Sequence, residues 1–141
     1  MKKVSLIFFL LCVFSCKKNS QPQANNPVPS VPVSVMFYPN DASYFKLQTI
    51  GGWMYIDGGI NGLVVYRKSQ EEFVALERTS SYLPNNPAAK VKVMNDNFIL
   101  RDTISDSRWR IFDGVVTKGP ATWALRLYRT SYDGNVLKIL N

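Results

Sequence analysis

The residues best suited to chemistry are hydroxyls and carboxyls gathered in two short stretches, Thr79-Ser80-Ser81-Tyr82 and Asp102-Thr103-Ile104-Ser105-Asp106-Ser107. The chain has no histidine, and its two cysteines, Cys12 and Cys16, both fall near the N-terminus. A serine nucleophile would therefore need a lysine as its base. Ser43-Tyr44-Phe45-Lys46 has the S-x-x-K spacing, but no S-D-N or K-T-G segment accompanies it, and chance accounts for the match. Asp102, Asp106, Ser80 and Ser105 offer hard oxygen ligands of the kind Ca²⁺ or Mg²⁺ takes. The plainer reading is that Asp102, Ser105 and Asp106 cap turns through local hydrogen bonds to the backbone. Glu71-Glu72 lies in a connection where solvent accounts for it, and Asp57 and Asp113 stand at turns, where Asp is expected. Nothing places two carboxyls across a cleft, as glycoside hydrolysis requires. Gly58-Gly59-Ile60-Asn61-Gly62 is no phosphate loop, because no helix follows it. The sequence thus points to no catalytic residue and no metal site.

Strands must position those stretches. The chain of 141 residues, 46% hydrophobic and 19% charged, has room for one modest domain with appendages. From Val33 onward short apolar runs alternate with turn signals, and no period of 3.6 is sustained. Val33 to Tyr38, Phe45 to Ile50, Trp53 to Ile56, Leu63 to Arg67, Glu72 to Arg78, Val91 to Met94, Phe98 to Arg101, Arg108 to Phe112, Trp123 to Thr130 and Val136 to Leu140 read as strands. Asn95-Asp96-Asn97, Asp113-Gly114 and Asp133-Gly134 mark turns, and Gly119-Pro120 a corner. Thr79 to Lys90, which contains Pro84, Asn85, Asn86 and Pro87, reads as a loop. About ten short strands without a long helix predict an all-β antiparallel sandwich or barrel over residues 33–141. Trp53, Trp109 and Trp123 are expected in its core. Arg101, Arg108, Arg110, Arg126 and Arg129 fall on strands. They read as a solvated strand face, or as a basic face toward anionic lipid or polysaccharide.

The N-terminus has a different logic. Lys2-Lys3 and the apolar run from Val4 to Phe14 form a signal peptide, too short to span a bilayer as a helix. It ends in Val13-Phe14-Ser15-Cys16, which resembles a bacterial lipobox. The resemblance implies cleavage after residue 15 and lipidation of Cys16, whose acyl chains hold the protein on a membrane. With Cys16 acylated, no thiol is left for disulfides, catalysis or metal binding. Lys17 to Pro32 is rich in Asn, Gln, Ser and Pro and reads as a flexible tether over residues 16–32 that could extend roughly 50 Å. The basic pair Lys17-Lys18 favours a periplasmic face. The net charge of +7 falls to about +5 on maturation. In the cell envelope that excess suits anionic lipid or glycan, not nucleic acid.

The order of the remaining landmarks resembles a Rieske-type domain. Asp57-Gly58-Gly59-Ile60-Asn61-Gly62-Leu63-Val64-Val65-Tyr66-Arg67 followed by Glu72-Phe73-Val74-Ala75-Leu76-Glu77-Arg78 is similar to its opening. Ser107-Arg108-Trp109-Arg110-Ile111, Asp113-Gly114, Gly119-Pro120-Ala121, Leu125-Arg126-Leu127-Tyr128 and Leu137-Lys138-Ile139 resemble its second half. Such domains hold a 2Fe-2S cluster with C-x-H and C-x-x-H on two facing loops. Carried onto this chain, the ligand positions fall on Ser80 and Tyr82 and on Asp102 and Ser105. All four are oxygen donors where the cluster takes thiolate and imidazole.

The expectation is therefore a lipoprotein of the bacterial cell envelope, on the outer membrane and facing the periplasm. It would carry a Rieske-like domain without a cluster and serve as a binding or assembly module, transferring no electrons and catalysing no reaction. Ser81, Leu83, Asn85, Asn86, Asp106 and Ser107, on the two loops, are the expected contact residues for an envelope protein or an anionic lipid or glycan, because loops on a rigid sheet carry recognition. An enzyme using carboxylate or Ser-Lys chemistry in those loops, or a residual 2Fe-2S protein, are the alternatives. Asp102-Thr103-Ile104 also resembles a bacterial O-glycosylation acceptor, with Thr103 as the modified residue.

Overall fold

The computed structural model describes residues 23–141, so the signal peptide and Cys16 lie outside the described residues. Ten strands follow one another: β1 Ser34–Phe37, β2 Trp53–Ile56, β3 Leu63–Arg67, β4 Phe73–Glu77, β5 Val91–Val93, β6 Ile99–Asp102, β7 Arg108–Arg110, β8 Val116–Lys118, β9 Leu127–Tyr132 and β10 Leu137–Leu140. They form two sheets, a larger one ordered β1-β10-β9-β4-β3-β2 and a smaller one ordered β5-β6-β7-β8. Every pairing is antiparallel. The expected all-β architecture of short strands is the one the chain adopts. The described helical pieces are 3-10 turns at Gln23–Asn25 and Ala42–Gln48. No helix among the described residues is long and apolar enough to cross a membrane.

Two apolar clusters explain why the centre of the larger sheet has no polar alternation. On β3, Leu63 and Val65 enter a cluster with Phe37, Leu47, Phe73, Ala75, Leu137 and Ile139. Their neighbours Val64 and Tyr66 point the other way, into a second cluster with Leu76, Val91, Leu100, Trp109, Ile111 and Leu125. All five residues of β3 are buried, as in a strand covered on both faces. β10 is covered on one face only, and there Leu137 and Ile139 are buried while Lys138 and Leu140 are exposed. Trp109 is fully buried, whereas Trp53 and Trp123 are half-buried at the edge.

Several local expectations change. Phe45 to Ile50 is not a strand. Gln48 Nε2 donates to the carbonyls of Asn40 and Asp41 and closes a 3-10 turn there. Only Leu47 of that turn is buried, and its carbonyl accepts from Arg67 Nη1 at 3.0 Å. β9 begins at Leu127 rather than Trp123. The backbone of residues 123–126 makes bonds elsewhere, since Leu125 N donates to Gly114 O and Arg126 O accepts from Glu77 N. Arg126, read as solvated, is buried, with Nε and Nη2 both on Val28 O at 2.9 and 2.5 Å. That bond also shortens the tether at its folded end. Val28 is fully buried, Asn26 Nδ2 donates to Ala124 O, and Gln23 Oε1 accepts from Leu127 N. Residues ahead of Val33, from Gln23 on, are therefore fastened to the domain. β8, only three residues long and mostly exposed, carries no sequence signal.

Candidate functional site

Register brings the two chemically promising stretches together. Val91, the first residue of β5, pairs with Asp102, the last of β6. The segment that ends by entering β5 and the segment that begins by leaving β6 therefore share one end of the smaller sheet. The bridge Thr79 to Lys90 and the bond from Ser80 N to Ala89 O close the first loop at its base. Within it, Asn86 N donates to Leu83 O, Ala89 N to Asn86 O, and Asn86 Oδ1 accepts from Ala88 N. Both loops are fastened to residues 121–123. Ser81 Oγ and Trp109 Nε1 donate to Trp123 O at 2.6 and 3.0 Å, and Ala121 N donates to Ser107 Oγ at 3.0 Å.

The four positions singled out for a cluster differ in what they present. Ser80 and Asp102 are fully buried, Ser105 is half-buried, and Tyr82 is 45% exposed. Asp102 is occupied by its own loop: Oδ1 accepts from Ile104 N at 2.9 Å and Oδ2 from Ser105 Oγ at 2.7 Å. Ser105 Oγ lies 2.9 Å from Ser107 Oγ. Each hydroxyl has one proton, so a consistent chain runs from Ala121 N–H to Ser107, then Ser105, then Asp102. The backbone repeats the closure, with Asp102 N donating to Ser107 O and Asp106 N to Asp102 O. Asp106 has a φ of 58°, a left-handed conformation that Asp tolerates better than most residues. This is the turn-capping arrangement.

These residues do not fit a 2Fe-2S cluster. The donors are oxygens, two of the four side chains face the interior, and Asp102 and Ser105 already satisfy each other. No three His, Cys, Asp or Glu side chains among the described residues gather to hold a metal ion.

The contact residues divide as well. Asn85 is exposed, Leu83, Asn86 and Asp106 are half-buried, but Ser81 and Ser107 are interior, at 4% and 0% exposure. Their hydroxyls tie the loops to residues 121–123 and cannot meet a partner. The side chains that face out include Tyr82 and Asn85 on one loop and Thr103 and Ile104 on the other, with Ile104 55% exposed.

Two carboxyl groups around these loops have partners that the sequence reading does not assign. Glu77, at the end of β4, is fully buried and accepts five hydrogen bonds, from Ile60 N, Asn61 N, Thr79 N, Thr79 Oγ1 and Tyr128 Oη, at 2.9 to 3.1 Å. It locks the Gly58 to Gly62 corner and the base of the first loop to β4 and β9. Gly59, at φ 63°, is required there, because a Cβ would stand 2.1 Å from Glu77 Oε2. Burial and the neighbouring Glu77 carboxyl push the Tyr128 hydroxyl well above the ordinary tyrosine range. A charged residue closing the otherwise apolar run Phe73-Val74-Ala75-Leu76 was the clue available. The second site is Asp106, which pairs with Arg101 Nε at 2.5 Å, with Arg108 Nη2 at 3.3 Å, and with Lys118 Nζ. The Lys118 hydrogen bond, followed by Arg108 and Arg101, holds its carboxyl at about 2, below its usual 3.8.

No family model matches the chain, and no curated protein matches it. Two solved structures are similar to it. One is the ferredoxin of carbazole 1,9a-dioxygenase from Nocardioides aromaticivorans IC177, at 17% identity and a TM-score of 0.49, covering 78% of this chain and 97% of that one. The other is a complex of reduced oxygenase and oxidised ferredoxin in carbazole 1,9a-dioxygenase, at 18% identity and a TM-score of 0.45, covering 63% of this chain and 81% of that one.

Proposed function

We propose that this chain is a lipid-anchored protein of the bacterial cell envelope whose Rieske-like domain holds no cluster and serves as a binding or assembly module. The observation that carries the reading is the state of Asp102. The Rieske resemblance puts it at a ligand position, and it is buried with both oxygens engaged by its own loop. A loop organised that way is a rigid platform, not a metal clamp. Its outward side chains, Tyr82 on one loop and Ile104 on its neighbour, are the large exposed groups that a protein partner would cover. The lipobox-like Val13-Phe14-Ser15-Cys16 supports the anchor, and the periplasmic side of the outer membrane is the proposed address. Neither electron transfer nor catalysis belongs to this reading.

The test is capture of partners from native membranes by the lipidated protein, against a variant carrying Tyr82→Ala and Ile104→Ser. The reading expects a protein recovered in stoichiometric amount by the parent and lost with the variant. Equal recovery by both would place recognition elsewhere, and iron recovered with the parent would contradict the reading outright.

A further inference from the structure

The register of the smaller sheet assembles a feature that no single strand shows. Lys92 on β5 stands opposite Arg101 on β6, Arg101 opposite Arg108 on β7, and Arg108 opposite Lys118 on β8. The in-strand neighbours Val91, Leu100 and Trp109 are buried, so Lys92, Arg101 and Arg108 share the outer face, and Lys118 joins them across an irregularity in the β7–β8 register through its ion pair with Asp106. With neighbouring strands about 4.8 Å apart, the row is roughly 14 Å long. Like charges directly opposite each other across a ladder destabilise a sheet. A single carboxylate, Asp106, reaches three of the four, and no ion pair reaches Lys92 among the described residues. Arg108 Nε is buried without a hydrogen-bond acceptor. The next cation outward, Arg110, is matched by Asp113 at 2.6 Å. The row is therefore an excess of charge that stability alone does not call for.

We infer that this face of the smaller sheet is an electrostatic docking surface for anionic lipid headgroups. The inference rests on the anchored reading given above and says which side of the domain meets the bilayer. Chain length supports that partner. Gln23 and Val28 are already held by the domain, so a spacer between it and Cys16 has at most residues 17–22. At about 3.1 Å per residue they reach roughly 20 Å, less than half of what a tether ending at Pro32 would allow. A domain held that close presents some face to the headgroups continually, and an extended sheet face bearing a cationic row complements a planar anionic surface. Phe98, 58% exposed and next to the start of β6, offers an apolar group suited to an interface.

The test uses the chain from Lys17 onward, which contains every described strand and both apolar clusters but no acyl group, with vesicles of phosphatidylcholine alone or with one third phosphatidylglycerol. Co-sedimentation is expected with the anionic vesicles only, and it should weaken as salt rises. Each of Lys92→Gln, Arg101→Gln, Arg108→Gln and Lys118→Gln should lower partitioning about fivefold. Asp106→Asn should raise it by a similar factor, which a merely structural role for that residue would not produce. Arg101→Gln should unfold at a denaturant concentration no lower than the parent, so that lost binding cannot be lost folding. Equal binding to neutral vesicles, or indifference to the row variants, overturns the inference. So does retention on a soluble sulfated polysaccharide without vesicle binding. None of these outcomes touches the anchor, which the intact mass of natively expressed protein decides separately: a mass without acyl groups removes the premise.

Discussion

Glu77 and Asp106 are carboxyl groups of the same domain with opposite surroundings. Glu77 is fully buried and held by neutral donors, three backbone amides and two hydroxyls. Asp106 is at the surface and held by three cations. The first arrangement is local, directional and insensitive to salt; it fixes the corner at residues 57–62 and the start of the 79–90 loop. The second is a screened balance of charge on a face that solvent reaches. Burial decides which kind of partner suffices. A buried acid must satisfy its lone pairs within the fold, whereas a surface acid can be shared among cations and exchanged for another anion. The scaffold is thus rigid on the side of Glu77 and electrostatically responsive on the side of Asp106.

Removing the buried acid should break this contrast most severely. Glu77→Ala leaves its buried donors without an acceptor and should cost roughly 3–5 kcal/mol in denaturant unfolding, independent of salt. A loss below about 1 kcal/mol would mean that water or a rearranged corner replaces the carboxyl. Asp102→Ala comes next, at about 1–3 kcal/mol. Amide exchange should quicken at Ile104, whose N–H bonds to the Asp102 carboxyl, while exchange in β3 stays unchanged. Accelerated exchange throughout the domain would refute a local role. The smallest effect belongs to Asp106. Its folded pKa, about 2, lies below the unfolded value of 3.8, so its stabilisation is complete above pH 4 and is lost as pH falls from there toward 2. Acid titration of Asp106→Asn should therefore show a shallower loss of stability across that window than the parent. High salt should reduce the difference, and identical acid slopes would show that the cations leave Asp106 untouched.

Legibility in the sequence followed the range of the interactions. β10 was readable because Leu137 and Ile139 alternate with Lys138 and Leu140 after an Asp-Gly turn, and every part of that signal is local. The turn-capping role of Asp102 and Ser105 was readable for the same reason, since their partners lie two to five residues away. Arg126 was misread because its acceptor, Val28 O, is 98 residues distant. Hydroxyls in a polar loop look solvated, so Ser81 and Ser107 read as surface residues, and only the path of residues 121–123 shows them to be fasteners. The Ala42–Gln48 turn carries aromatics that suit a strand equally well, and the contacts of Gln48 decide between them. The cationic row is legible only after four strands are placed in register.

The central claim is that Ser80, Tyr82, Asp102 and Ser105 leave no place for an iron–sulfur cluster. It is tested most directly by measuring iron, labile sulfide and the visible spectrum of the full chain purified without oxygen. The account predicts iron and sulfide far below one per chain and a spectrum with no band beyond the aromatic absorption. Stoichiometric iron and sulfide with visible bands would contradict it.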